Sequence, residues 1–61
     1  MNQIRTYRKK RALTQTKIAE RIGVKANAVS QWETGKRSPN IRHLQMLAEI
    51  FYCSIDDLMK L

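Results

Sequence analysis

The stretch Val24–Pro39, VKANAVSQWETGKRSP, decides how this chain is read. At about 100° per residue, Lys25, Val29, Trp32 and Glu33 fall on one side of a helix. Asn27, Gln31 and Thr34 fall on the other, flanked by Ser30. The pattern predicts a helix over residues 26–33 that stops at Gly35 and runs into the basic loop Lys36–Pro39. One side of this helix is built to be buried, and the other carries amides and hydroxyls with no core to enter.

Upstream, Thr14 is a good N-cap for a second short helix over 15–22, whose buried face is Ile18, Ala19 and Ile22. Gly23 supplies the left-handed residue that ends it. Two short helices joined through Gly23-Val24, with Ala19 ahead of the Gly and β-branched Val29 after it, form a helix-turn-helix pattern. The cause is steric. Ala19 lets the two helices approach, Gly23 takes a backbone conformation other residues resist, and Val24, Val29 and Trp32 wedge the second helix against the core.

Around this unit the same periodicity predicts a first helix over 2–10, with Ile4, Tyr7, Arg8 and Arg11 inward. A helix over 41–51 is capped by Asn40, with Ile41, Leu44, Leu47, Ala48 and Phe51 inward. Ser54-Ile-Asp-Asp57 resembles a capping box with Asp in the Glu/Gln position. It opens a short last helix that buries Ile55 and Leu58. No alternating β-branched run appears, so the expected class is all-α, with five helices in a single domain over 1–61.

Bulk properties narrow the function. A 61-residue domain buries only about 60% of its unfolded surface. Its one cysteine, Cys53, excludes an internal disulfide. Cys53 and the one histidine, His43, cannot make a four-ligand zinc site. No apolar run approaches the roughly 18 residues of a membrane span, and the free cysteine fits a cytoplasmic setting. The net charge is +7, and ten of the twelve basic residues precede residue 38; the pI is near 10.2. That imbalance points to a polyanionic partner, most often nucleic acid. There is no Ser/His/Asp or Cys/His arrangement, metal cluster or phosphate-cradling Gly loop, so neither an enzyme nor a cofactor is expected. Asp56-Asp57 is explained by a helix N-terminus.

The run LTQTKIAERIGVKANAVSQWETGKRSP resembles the phage-repressor/Cro-like, or XRE-type, helix-turn-helix family. Leu13, Thr14, Gln15, Ala19, Gly23, Val24, Val29, Trp32, Glu33, Gly35, Arg37 and Pro39 match its pattern, and the helices that follow also fit. The resemblance implies a compact five-helix, lambda-repressor-like DNA-binding domain. It further implies a bacterial or phage-encoded, nucleoid-associated regulator, with repression as the family's expected sign. Its third helix would enter the major groove of double-stranded DNA, as a homodimer on a palindromic operator.

Asn and Gln can each pair with adenine N7 and N6. Asn27 and Gln31 lie one turn apart, so both can address neighbouring bases. The family's base readers fall here on Ala26, Asn27, Ser30 and Gln31, with Ala26 offering only apolar contact. Expected phosphate contacts are Gln15 at the positive end of a helix, Lys17, Lys25, Lys36, Arg37, Asn40 and Arg42. The family pairs an Arg of its first helix with the Glu after the Trp, which implies an Arg8–Glu33 bridge as a structural ion pair.

Three positions depart from the family pattern. Lys25 stands where Ser or Thr usually caps the third helix, and Ala12 and Tyr52 replace helix-ending glycines. A second stripe on the fourth helix (His43, Met46, Ile50), together with Ile55, Met59 and Leu61, suggests an apolar homodimer surface at Met46, Ile50, Ile55, Met59 and Leu61. The same stripe motivates an alternative, an antitoxin-type protein-interaction module. Charge alone would give a non-specific nucleic-acid binder. No small-molecule effector site is evident. Either the chain is full length and controlled by its concentration, a partner or a competing repressor, or it is the N-terminal piece of something longer.

Overall fold

A computed structural model describes residues 2–60. Among them are five α-helices: α1 (Ile4–Lys10), α2 (Gln15–Ile22), α3 (Ala26–Thr34), α4 (Ile41–Phe51) and α5 (Ile55–Met59). The helices wrap one core of Ile4, Ile18, Ala19, Val29, Trp32, Leu47, Ala48, Phe51 and Leu58, drawn from all five. The all-α, five-helix expectation holds, and so does the place of the helix-turn-helix in α2 and α3.

Local chemistry sets the boundaries. The Thr14 hydroxyl accepts from Lys17 N–H at 3.0 Å and starts α2. Gly23, at φ +87°, ends it, and the turn lets Val24 N–H reach back to Ala19 O at 3.0 Å. Gly35, at φ +80°, ends α3. The Asn40 side chain caps α4 by accepting from His43 N–H at 2.8 Å. Ser54 and Asp57 form a reciprocal capping box at 3.0 and 3.1 Å. Ser54, through its backbone N–H and then its hydroxyl, holds the Asp57 carboxyl below its usual range.

Two caps are left-handed without glycine: Ala12 at φ +54° and Tyr52 at φ +55°. Each allows the chain to fold back on a finished helix. Leu13 N–H reaches Arg8 O at 3.2 Å, and Cys53 N–H reaches Ala48 O at 3.0 Å. The hydrogen bonds are those of a Schellman motif, and the Cβ of Ala12 or Tyr52 carries the strain.

Four sequence expectations need correcting. Helix α1 begins at Ile4 rather than Asn2, because the Asn2 side chain bonds Ile4 N–H at 3.0 Å and turns the chain before the helix starts. Arg11 does not face the core. It follows the end of α1, is exposed, donates to Phe51 O at 3.0 Å and lies over the Tyr52 ring at 5.0 Å. Ile41 is 63% exposed; it sits about 70° from the centre of the Leu44/Leu47/Ala48/Phe51 stripe, far enough round the helix to face solvent. Lys25 is the exposed N-cap of α3, not a member of its buried face.

The start of α1 meets the end of α5. Gln3 N–H donates to Leu58 O at 2.7 Å and Gln3 Nε2 to Lys60 O at 3.2 Å, which ties the start of α1 to the end of α5.

Candidate nucleic-acid interface

Helix α3 is held from behind and free in front. Val29 (0% exposed), Trp32 (4%) and Glu33 (6%) are buried. Asn27 is exposed, and Ala26, Ser30 and Gln31 are half-buried. The four expected base readers therefore lie on the helix whose opposite face is locked into the core. Ala26 also packs partly against that core, which leaves exposed Asn27 and half-buried Ser30 and Gln31 as the polar side chains of this face.

The lock is polar as well as apolar. Arg8 grips Glu33 with two hydrogen bonds, Nε to Oε2 at 2.6 Å and Nη2 to Oε1 at 3.3 Å. Its third nitrogen, Nη1, donates to Leu13 O at 2.9 Å. Gln15 Nε2 adds a bond to Glu33 Oε1 at 3.0 Å. The Arg8 and Glu33 side chains are only 13% and 3% exposed. A buried charge survives because it is paired and hydrogen-bonded at every polar atom, and among the described residues no buried side-chain polar atom lacks a partner. Asn2 Nδ2 donates to Trp32 O at 2.8 Å, a further tie from the N-terminal segment to α3.

The expected phosphate contacts surround this helix unevenly. Lys36, Arg37 and Arg42 are exposed. Lys17 lies 3.8 Å from Glu20 in a loose surface pair. Lys25 makes no side-chain cap to α3. Asn40 uses its carbonyl oxygen on His43 N–H and keeps its amide N–H groups. Gln15 spends one donor on Glu33 and keeps another.

Of the residues assigned to an apolar pairing surface, Ile50 and Ile55 pack partly against the core. Met46 is half-buried and Met59 is 43% exposed. Leu61 lies outside the described residues. The His43 ring lies tilted by 36° against Trp32, ring centroids 5.1 Å apart, and helps seat α3 against α4.

The sequence reading missed a cleft of about 450 Å³ between α1 and α3. Arg5 and Thr6 line it from α1, Ser30 and Thr34 from α3, and Gln15 from α2. The available signal was the spacing of Arg5, three residues before Arg8 and so on a neighbouring part of the helix surface.

Comparisons with known proteins agree on this architecture. A helix-turn-helix family profile matches residues 4–58. The transcriptional activator BcrR of Enterococcus faecalis is 37% identical over 59 residues, covering 97% of this chain and 28% of that protein. Repressor protein C2 of Salmonella phage P22 is 39% identical over 57 residues, covering 93% of this chain and 26% of the repressor. An uncharacterised helix-turn-helix regulator of Archaeoglobus fulgidus is 34% identical, covering 90% of this chain and 79% of that protein. The crystal structure of the P22 c2 repressor in complex with a synthetic operator superposes with a TM-score of 0.87 at 38% identity, over 93% of this chain and 86% of that one. The chain thus spans about a quarter of the length of the first two relatives. With its fold, its turn chemistry and a family match over nearly its whole length, this chain belongs to the helix-turn-helix family of the phage-repressor, XRE type.

Proposed function

We propose that this chain is a sequence-specific double-stranded DNA-binding unit of a transcriptional regulator, acting by repression. It reads the major groove with α3 as a homodimer on a palindromic operator, in the cytoplasm of a bacterium or from a phage genome. The observation that carries the reading is α3 itself. Its back is locked by Val29, Trp32 and the Arg8–Glu33–Gln15 cluster, while Asn27 is exposed and Gln31 half-exposed one turn on. Bidentate amides on a rigid helix suit adenine edges, and exposed Lys36, Arg37 and Arg42 suit the flanking backbone. A relative solved on operator DNA supports the partner; the phage repressor among the relatives favours repression, while BcrR is an activator. We read the chain as one domain and as a binding unit rather than a catalyst. Two copies would set their α3 helices roughly 34 Å apart, one turn of DNA. The pairing surface then rests on exposed Met59 and half-buried Met46, with Ile50 and Ile55 partly spent on the core.

Selection of bound duplexes from a randomised pool, at about 150 mM salt, tests the proposal. The expected result is an enriched palindrome whose half-site preference relaxes at one position in Gln31→Ala. A pool without any preference, bound only at low salt, would refute sequence-specific readout.

A further inference from the structure

The cleft between α1 and α3 has a chemistry that the base-reading face does not use. Among the described residues Glu33 is the one carboxylate lining it, and both its oxygens are occupied: Oε2 by Arg8 Nε, Oε1 by Arg8 Nη2 and Gln15 Nε2. The charge of Arg8 is spent on that carboxylate. What remains is an excess of donors. Arg5 is exposed and, among the described residues, forms no ion pair. Thr6 and Ser30 add hydroxyls, and Gln15 keeps a free amide N–H. The cleft is also pre-formed. Asn2 ties its α1 side to Trp32 O at 2.8 Å, and Arg8 ties α1 to Glu33 further along. A fixed, donor-rich cleft holding one uncompensated guanidinium selects an anion with several acceptor oxygens. It shares Ser30 with the outward surface of α3, so an anion in it lies beside whatever α3 reads.

Resting on the proposed DNA reading, we infer that this cleft takes a phosphodiester of the DNA backbone, with Arg5 as its charged anchor and Thr6 and Ser30 as hydroxyl donors. The contact comes from α1, outside the helix-turn-helix, and fixes the height of α3 in the groove rather than the base it reads. Ser30 then serves the backbone and not a base edge.

The test uses the duplex enriched by the parent chain in the selection above, with Arg5→Gln and Arg5→Lys beside the parent. One phosphate contact contributes about 0.9 to the salt slope of log K. A dimer makes two such contacts, so between about 50 and 200 mM salt the parent should lose roughly twelvefold more affinity than Arg5→Gln. Arg5→Lys should keep the parent slope, and the base preferences of all three should coincide. In a scan placing one neutral methylphosphonate per half-site, a single position should make parent and Arg5→Gln bind alike. Arg5 is exposed, so equal thermal melting of the variants is expected and confirms that folding is not being read. If the parent binds its selected duplex while Arg5→Gln keeps the full slope and affinity, or if no methylphosphonate position removes the difference, the cleft assignment fails and the proposed function stands. If the parent binds no duplex, both fail together.

Discussion

Removing the Glu33 carboxylate is the sharpest test of how α3 is held. In Glu33→Ala the Arg8 guanidinium loses two of its three bonds, and Gln15 loses the partner of its amide. Arg8 keeps Leu13 O at 2.9 Å, and its side chain is 13% exposed, so water can reach part of it. Breaking a buried pair from one side costs about 3–5 kcal/mol. The residual bond and the access of water place this case near the lower end, about 3 kcal/mol. A 61-residue chain has a total stability of only roughly 3–9 kcal/mol, so the variant should be partly unfolded near 37 °C. Urea unfolding followed by Trp32 fluorescence measures it. With an m-value of about 1 kcal/mol/M, the midpoint should fall by about 3 M, or the folded baseline should vanish. The double variant Arg8→Met/Glu33→Leu removes both charges, and its loss should be at least 2 kcal/mol smaller, since a buried pair replaced by apolar groups is often neutral. A Glu33→Ala loss below about half a kcal/mol, or a double variant as damaged as the single one, would refute the account of a desolvated charge left without its partner.

Other expectations follow from the caps. Ala12→Gly should gain about 1 kcal/mol, because relief of a left-handed Cβ, about 1–2 kcal/mol, exceeds the added freedom of the unfolded glycine; a melting rise of about 4–8 °C reports it. Tyr52→Gly should gain less, since it also surrenders the stacking of Arg11 on the ring, about 0.5–1 kcal/mol. Lys25→Ser supplies the cap that α3 lacks and should raise stability by about 1 kcal/mol while weakening DNA binding, so calorimetry and a binding titration should move in opposite directions. Asp57 titrates below its unfolded value. Its contribution is therefore present above the unfolded carboxylate pKa and is lost as pH falls through the lower folded one. Asp57→Asn should flatten that part of the acid-stability curve, and NMR titration of the carboxyl should show the lowered midpoint.

Short-range chemistry was the legible part. Thr14, Gly23, Asn40 and the Ser54/Asp57 pair act on residues a turn away, so their roles can be read locally. The α2–α3 junction is readable for the same reason, with Ala19 and Val29 set by spacing. Arg8 and Glu33 stand out as charges on inward-facing stripes, where an unpaired charge would be untenable. Illegible were contacts set by how finished helices meet. Arg11 finds its acceptor 40 residues away, on Phe51, and periodicity had placed it inside. Ile41 has the right type, yet at about 70° from the centre of the buried stripe it faces solvent. The α1–α3 cleft is a product of two helices being tied at Asn2 and Arg8, and no single segment announces it.

The meeting of Gln3 with Leu58 and Lys60 bears on how the molecule comes apart. A last helix of five residues has little intrinsic reason to persist, and by itself it would fray. Here it shares hydrogen bonds with the first turn of the chain, and Leu58 and Ile4 share one core. Opening the first turn of α1 therefore loosens α5 as well, and the reverse. Among the described residues the first and last helices behave as one coupled element. The accuracy with which α3 is aimed is then a property of the whole cooperative unit, not of the two helices that carry the motif.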